Sequence, residues 1–407
     1  MMNKRIKTLI AVLALALSSF AASIETDRPW YLAGETMKVS ISIDDALIAY
    51  AELCDTRSLS AGCVISVYGG KGAGTIELPS DLHSGYYVLS VYTRDNDNVS
   101  NRLVAIINPL HKSKDDDIEW ISSDSSMAKS VGIADLMSKK QIDVRETEGH
   151  IIKAHIKNGG NVFKSNQIRP SLSIIGKQIH YYEGKMVNDS IANFYTYNIH
   201  GKQPIVLSAV TNTDVNLPIE IISPFAALIP KKLPHLVFHY NRSEIESRSI
   251  EMQRHHPIKE EQDDDPQPSV VPLDYDDAVF GSKPVQTYNL DEYRQFLTVR
   301  EVLLEYVIFV SKRKVNGVPR LFVSIDQAPN VNSYPTLVLI DGMPTNNIER
   351  LLNYDARRIH HINIYGGQYT FGNSVYNGIL SFVTRSGLLT NYPTEPNTQY
   401  LLYDFPE

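Results

Sequence analysis

The sequence predicts a mainly β protein, with two β-sandwich domains followed by a small α+β domain. Apolar residues alternate with polar ones at the period of a half-buried strand, as at Val39, Ile41 and Ile43. Aromatic usage is uneven, with 23 Tyr, 12 Phe and 2 Trp, and tyrosine suits strands that are half buried and half exposed to solvent. In the last hundred residues strand patterns alternate with short helix patterns, which is typical of an α+β unit.

Length and charge exclude some classes of protein. At about 150 residues per domain, 407 residues predict roughly three domains. A hydrophobic content of 43% is enough for packed cores, so wholesale disorder is excluded. The net charge of −7 argues against a nucleic-acid partner, which attracts basic proteins.

Residues 1–23 have the pattern of a secretory signal peptide, and a buried N-terminal helix is the alternative. A basic start is followed by an uncharged apolar run, Leu9–Leu17, and then by small residues suited to cleavage. The basic residues are Lys4, Arg5 and Lys7, and the small ones are Ser19, Ala21 and Ser23. No later stretch reaches the roughly 18 apolar residues of a membrane-spanning helix. We therefore expect an exported mature chain with no transmembrane segment.

Cys54 and Cys63 are the two cysteines, and they flank a polar, turn-rich stretch between two apolar runs. In an exported protein this arrangement predicts a disulfide at the base of a hairpin. Two buried thiols are the alternative. A metal site is disfavoured because no His or further Cys falls at ligand spacing.

Residues 24–109 are predicted to form the first sandwich. Alternation recurs at Tyr87, Leu89 and Val91, and glycine and proline separate the strands. Two segments stand out: Thr26-Asp-Arg-Pro-Trp-Tyr-Leu-Ala-Gly-Glu35 and Leu78-Pro-Ser-Asp-Leu-His-Ser-Gly-Tyr-Tyr-Val-Leu-Ser-Val-Tyr-Thr-Arg94. In this order they resemble the MG2 domain of α2-macroglobulin-like proteins. The Cys-Gly-Glu-Gln thioester of true macroglobulins is absent, so the resemblance implies a binding or spacer module.

The middle of the chain is predicted to hold a connector, a second sandwich and a linker. Residues 110–148 are a polar connector in which Ile133–Met137 could form a short helix. Residues 149–240 alternate as strands, for example at Ile152, Ala154 and Ile156, and resemble an Ig-like or prealbumin-like sandwich. Residues 241–285 are predicted to be an extended linker, because their stretch 257–277 combines eight acids with four prolines. Calcium binding is the alternative for the linker, but its loop spacing is missing.

Residues 286–387 are predicted to form the α+β domain. Capping boxes begin short helices at Asn289-Leu-Asp-Glu292 and Thr298-Val-Arg-Glu301. An apolar strand then ends in Asp341-Gly342, a pair that makes a tight turn, and Asn377-Gly378 is predicted to make another before the last strand.

Three segments of this domain carry a second resemblance: Val338-Leu-Ile-Asp-Gly-Met-Pro344, Ile359-His-His-Ile-Asn-Ile-Tyr-Gly366 and Tyr376-Asn-Gly-Ile-Leu-Ser-Phe-Val-Thr-Arg-Ser-Gly387. Together they resemble the plug domain of TonB-dependent outer-membrane receptors in the form seen in Bacteroidetes. Asp341, Gly342, Asn377 and Gly378 are then expected to be structural turns, with direct ligand contact as the alternative. The turn at 366–377 is longer than in the receptors.

The tail, residues 388–407, limits what the plug-like domain can do. A membrane barrel strand takes roughly 9–11 residues, so a tail of this length is too short for a barrel. We therefore do not expect this chain to be a transporter by itself. The resemblance places it in the cell envelope, in the periplasm or associated with the outer membrane.

The candidate catalytic motifs are weak. No GxSxG or HExxH motif occurs, and Asp95-Asn-Asp-Asn98 indicates a polar loop more than a calcium site. Neither His255-His256 nor His360-His361 is expected to present two imidazoles to one metal, because neighbouring strand residues point to opposite faces. We predict no catalytic, metal-binding or cofactor-binding residues and no cofactor, although a dispersed active site stays open.

Two functions follow from these observations. The first is a non-catalytic exported protein that binds or scaffolds a protein partner in the cell envelope, for example through exposed strand edges of its β domains. The alternative is an accessory subunit of a TonB-dependent transport system, which would engage an outer-membrane barrel in trans.

Overall fold

The fold was analysed in a computed structural model of the chain. It describes residues 22–95, 99–110, 116–131, 140–160, 162–176, 179–255, 272, 280–315, 317–324, 334–389, 392–393 and 395–407. Five predicted features lie wholly or mostly outside these residues: the signal peptide, the loop at 96–98, the short helix at 133–137, the His255-His256 pair and the acidic stretch at 257–277. None of the described helices is long and apolar enough to cross a bilayer.

The prediction of a mainly β protein with sandwich-like sheets is confirmed. The first ten strands are β1 Ser23–Thr26, β2 Trp30–Leu32, β3 Thr36–Ser42, β4 Ile48–Cys54, β5 Leu59–Tyr68, β6 Lys71–Glu77, β7 Gly85–Tyr92, β8 Ser100–Ile107, β9 Ile118–Ser122 and β10 Met127–Ala128. The next eight are β11 Ile151–Ile156, β12 Ile168–Ile174, β13 His180–Glu183, β14 Lys185–Met186, β15 Ile191–Tyr195, β16 Gly201–Thr211, β17 Ile219–Ile221 and β18 Leu236–Tyr240.

The remaining strands alternate with helices, as the sequence predicted for the last part of the chain. Helix α1 is Arg242–His255, α2 is Val299–Glu305 and α3 is Ile348–Leu352. The strands are β19 Gln286–Asn289, β20 Val310–Val315, β21 Val318–Val323, β22 Leu337–Ile340, β23 Met343–Pro344, β24 Ile359–Phe371, β25 Ser374–Thr384 and β26 Gln399–Phe405.

The chain divides into two units, and unit 1 comprises Met1–Gly149, Phe225–Lys259 and Pro406–Glu407. Its main sheet has the order β1-β3-β6-β5-β4-β7-β8-β2. Residues from both ends of this sheet, such as Val39 and Leu89, lie in one apolar core, so the sheet folds over on itself as a sandwich. Strand β3 alternates exposed and buried residues, as its sequence predicted.

A second layer covers the other face of strands β7, β8 and β2 in unit 1. It consists of the small sheet β10-β18-β9 and helix α1. Trp30 and Leu32 pack there with Phe238 of β18 and Ile245 of α1. Every residue of β7 is buried, because this layer covers Tyr86 and the segment around Phe225 covers Tyr92, although the sequence alternation suggested one solvent-exposed face.

This second layer changes the roles of three predicted segments. The connector supplies β9 and β10, the last strand of the predicted second sandwich is β18, and the predicted extended linker begins with helix α1. The helix forms because Ile245 enters an apolar cluster and the guanidinium of Arg248 lies 3.7 Å from the centre of the Trp30 ring. Tertiary packing thus overrides a local sequence that is too polar to signal a helix.

Unit 2 comprises His150–Pro224 and Glu260–Phe405. Two four-stranded sheets, β14-β15-β11-β17 and β13-β12-β16-β26, enclose one core that contains Phe194, Leu172 and Leu207. Strand β26 lies in the predicted tail, and it pairs with β16 over seven positions while Phe405 enters the core. The C-terminal segment is therefore an integral strand of the second sandwich.

The α+β module, residues 280–389, follows in unit 2. Its sheet has the order β19-β24-β25-β22-β23, with β22 and β25 parallel, and β20 and β21 form a separate hairpin. The predicted box at Thr298 is present, because the Thr298 hydroxyl accepts from the Glu301 N–H and the Glu301 carboxylate accepts from the Thr298 N–H. Asn289 instead caps a single 3₁₀ turn, Leu290–Glu292.

Candidate functional site

Cys54 and Cys63 are buried thiols, and no disulfide joins them. The predicted disulfide is therefore wrong, and strand register explains why. Cys63 pairs with Ala51, three residues before Cys54, which places the two Cα atoms about 10 Å apart along the sheet and their side chains on opposite faces. A disulfide needs Cα atoms about 4.4–6.8 Å apart. Burial also raises the pKa of the Cys54 thiol to about 12, so this group is unreactive.

The segment that resembles MG2 is held together by its own polar residues. The Asp27 carboxylate accepts from the Tyr31 hydroxyl at 2.5 Å and from the Lys38 N–H at 2.9 Å. The Glu35 carboxylate accepts from the Leu32 N–H at 2.7 Å and from the Arg248 guanidinium at 2.6 Å. These carboxylates stabilise the turn that precedes β3 and attach helix α1 to it, so their role in unit 1 is structural.

Asp341 and Gly342 form the turn between β22 and β23. Both residues have positive φ, 46° and 83°, as a two-residue hairpin turn requires. The fully buried Asp341 carboxylate accepts three hydrogen bonds: from the Thr384 N–H at 2.7 Å, the Thr384 hydroxyl at 2.6 Å and the Leu389 N–H at 2.7 Å. The Gly342 carbonyl accepts from the Ser173 hydroxyl at 2.8 Å. This turn therefore attaches the α+β module to β12 of the sandwich.

Asn377 and Gly378 lie inside strand β25, not in a tight turn as the sequence predicted. A bulge in the β24–β25 pairing lies opposite them, between Tyr365 and Gln368. Gly378 has a φ of 74°, and a Cβ there would lie 2.8 Å from the Cβ of Val323. Glycine is needed because the backbone is left-handed and β21 packs directly against it.

The long turn predicted at 366–377 is an extension of the β24–β25 hairpin. Its tip contacts β13 of the sandwich, where the Glu183 carboxylate accepts from the Ser374 hydroxyl and from the Tyr376 hydroxyl at 3.3 Å. The rings of Tyr181 and Phe371 meet edge to face, with centroids 5.1 Å apart. The extension thus forms a second attachment between the α+β module and the sandwich.

A cleft of about 340 Å³ lies between these parts of unit 2. Its floor is the outer face of strands β12 and β16, and its walls come from β21, β22 and the residues around α3. Apolar and aromatic side chains line much of it, and polar groups of both strands converge on the floor. The lining includes Arg169, Ser171, Ser208, Asn212, Asp214, Arg320, Phe322, Tyr334 and Leu337.

The polar groups of the cleft have distinct partners. Ser171 and Ser208 are directly opposite in the β12–β16 pairing, and their hydroxyls hydrogen-bond to each other at 2.7 Å. Asp214 and Arg320 form an ion pair across the cleft. Since each serine hydroxyl is paired with the other, neither is held by an imidazole or a carboxylate that could activate it as a nucleophile.

His360 and His361 do not point apart as predicted. A bulge in β24 between Ile359 and His361 brings the two imidazole rings into contact, with their Nδ1 atoms 3.0 Å apart. Burial lowers the pKa of His361 to about 3 and also lowers that of His360, so both rings are neutral. Within the described ranges, no group of three His, Cys, Asp or Glu side chains could hold a metal ion.

The cleft residues did not stand out in the sequence. Leu172 and Ile174 predicted the buried face of β12, and the same alternation places Arg169, Ser171 and Ser173 on its other face. Only the position of the α+β module distinguishes that face from an ordinary solvated one.

Comparison with known proteins yields no family. No family profile and no curated protein matches the chain. Among solved structures, it is similar to a trypsin-activated alpha-2-macroglobulin from Escherichia coli, with 10% identity over 50% of this chain and 16% of that one and a TM-score of 0.20. Salmonella alpha-2-macroglobulin reacted with methylamine gives 9% identity, 51% and 15% coverage and a TM-score of 0.19. The chain therefore spans less than a fifth of either macroglobulin.

Fibronectin(III)-like modules of Clostridium thermocellum CbhA are a further similar structure, at 9% identity over 53% of this chain and 94% of theirs, with a TM-score of 0.14. Likenesses this distant carry no information about activity or partners. The sandwich architecture rests on the strand pairing of the chain itself.

Proposed function

We propose that this protein is a non-catalytic, exported binding protein of the cell envelope, and that the cleft of unit 2 is its recognition site for a protein partner. One observation carries the proposal. The α+β module is attached to the sandwich at two points, Gly342 and the β24–β25 tip, and a cleft with convergent polar groups is left between them.

The arrangement of the hydroxyls supports binding over catalysis. Ser171 and Ser208 are paired with each other, and the Asp214 carboxylate is paired with Arg320. A hydrolase of the serine type would instead need a base within hydrogen-bond reach of the nucleophile. Screening the purified protein for hydrolase activity with and without a chelator tests this part, and turnover in either condition would overturn it.

Photocrosslinking in the native host tests the recognition site. A photoreactive phenylalanine analogue at Asn212, in the cleft, is expected to capture a defined envelope protein. The same analogue at the exposed His155 of β11, in the same unit, is the matched control. Equal capture from both positions, or none from the cleft, would contradict the proposal. Capture of an outer-membrane barrel would instead support the accessory role in TonB-dependent transport.

Mass spectrometry of the N-terminal peptide from the envelope fraction tests export separately. Cleavage after Ala21 or Ser23 is expected, which leaves Ala22 or Ile24 as the first residue. An intact Met1 in the cytoplasmic fraction would contradict export.

A further inference from the structure

The cleft of unit 2 holds one cation that no described residue neutralises at close range. The Arg169 guanidinium forms no hydrogen bond or ion pair with any residue that the structure describes, although it lines the cleft and is partly buried. The other arginine of the cleft, Arg320, is already paired with Asp214. Arg169 thus offers up to five N–H donors in a planar fork, the geometry that suits a carboxylate.

Glu183 of β13 is a carboxylate that interacts electrostatically with Arg169 without a hydrogen bond to it. Its two oxygens are engaged by Ser374 and Tyr376. Burial raises the pKa of Glu183, because a charged carboxylate is poorly solvated there. Glu183 is thus hydrogen-bonded to the β24–β25 tip and not to Arg169, and among the charged side chains that line the cleft two arginines, Arg169 and Arg320, face one carboxylate, Asp214.

The floor also offers both donors and acceptors beside Arg169. The Ser171–Ser208 pair uses one of its two protons internally, which leaves one O–H donor and several lone pairs. The Asn212 side chain adds an amide. A ligand that satisfies all of these groups needs an anionic acceptor together with N–H donors of its own.

The walls require an apolar body on the same ligand. Phe322, Tyr334 and Leu337 line the cleft, and Tyr334 is 46% exposed, so its ring is available to a bound group. A volume of about 340 Å³ is near the lower end of the range for small-ligand pockets. A cleft of this volume therefore suits a short segment of a bound polypeptide.

The carboxyl-terminal end of a polypeptide combines these features: one carboxylate, backbone N–H groups and apolar side chains. We propose that the cleft binds the C-terminal end of a partner polypeptide, with Arg169 paired to its terminal carboxylate and the Ser171–Ser208 pair bonded to its backbone. This inference rests on the proposed recognition site, and it adds what that site recognises.

Isothermal titration calorimetry with the full mature chain tests whether the cleft binds a terminal carboxylate. The probes are four acetylated tripeptides that end in Leu, Phe, Val or Ala, each as the free acid and as the amide, and octanoate as a carboxylate without a peptide backbone. At least one free acid is expected to bind at about 1 mM or tighter, and its amide about tenfold more weakly. Equal binding of acid and amide, or no binding of any acid, would overturn the proposal. Octanoate that binds as tightly as the best tripeptide would overturn the peptide part.

Variants of Arg169 test whether this residue binds the terminal carboxylate of the tripeptides. Arg169→Gln is expected to weaken the best tripeptide about tenfold or more, and Arg169→Lys less, because it keeps the charge but loses the fork. Arg294→Gln is the matched control, since Arg294 is an exposed arginine of unit 2 outside the cleft. An Arg169→Gln variant that keeps its circular dichroism spectrum and binds as tightly as the parent would refute the assignment. If crosslinking from Asn212 succeeds while no tripeptide binds, this inference fails and the proposed function stands.

Discussion

Units 1 and 2 differ in how they use the outer face of a sandwich sheet. In unit 1 the fully buried Glu52 carboxylate accepts from the Tyr92 hydroxyl at 2.8 Å, the Ala227 N–H at 3.1 Å and the Leu228 N–H at 2.5 Å. These bonds hold the segment around residues 225–228 over strands β4 and β7. In unit 2 the corresponding layer is the α+β module, and the cleft with Arg169 lies beside its contacts.

The two units also differ in whether an arginine on that outer face has an ionic partner. Arg94 of unit 1 is a buried arginine with an ionic partner, the Glu146 carboxylate, at 3.1 Å. Arg169 of unit 2 has no such contact within the described part of the chain. A buried ion pair contributes little to binding because its charges are already satisfied, whereas an accessible guanidinium with spare donors can take a ligand.

The largest effect is expected from the buried carboxylate that closes the β22–β23 turn. Asp341→Ala removes three charge-assisted hydrogen bonds and leaves the Thr384 and Leu389 donors buried, so we expect unit 2 to lose about 4 kcal/mol of unfolding free energy. Urea unfolding followed by circular dichroism measures it. Glu305→Ala, at an exposed position of α2, is the control, and equal losses in both variants would contradict the role of Asp341.

Glu52→Ala tests whether a buried carboxylate that accepts several hydrogen bonds also stabilises unit 1. We expect a loss of about 3 kcal/mol, because two backbone N–H groups and the Tyr92 hydroxyl lose their acceptor. Both tryptophans, Trp30 and Trp120, lie in unit 1, so their fluorescence during urea unfolding reports on this unit alone. Glu25→Ala, on the exposed side of β1, should leave the tryptophan transition in place. A Glu52→Ala transition that also stays in place would show that the 225–228 segment is held by apolar packing.

The next effect is a pH dependence of the stability of unit 2. The pKa of His361 is lowered to about 3 by burial, so the unfolded chain takes up the proton first as the pH falls below about 6.5. This contribution to stability is therefore present above that pH and decreases on acidification, by about 1.7 kcal/mol between pH 6.5 and 5.0. Urea titrations at both pH values should show this loss in the parent and a smaller one in His361→Gln. The exposed His155→Gln should behave as the parent does. If the parent loses no unfolding free energy between the two pH values, His361 is instead protonated and hydrogen-bonded in the folded protein.

The smallest expected effect concerns the cysteines of unit 1. Because no disulfide joins Cys54 and Cys63, a reducing agent should change the unfolding free energy by less than about 0.5 kcal/mol. A thiol reagent should detect two thiols per unfolded chain and react slowly with the folded protein. Fewer than two thiols in freshly purified, unfolded protein would reinstate the disulfide.

The sequence by itself determined the β class, the alternation of β3, the helix start at Thr298 and the Asp341-Gly342 turn position. Each of these depends on neighbours within a few residues, through side-chain period, capping or backbone conformation. Tertiary structure alone decided which faces are covered. It made β7 buried on both faces, brought β26 into the second sandwich, turned a polar stretch into helix α1 and bent β24 so that His360 and His361 meet. Arg169 belongs to this second group: its place in β12 follows from the sequence pattern, but the cleft around it exists only because a module more than a hundred residues later packs on the same face.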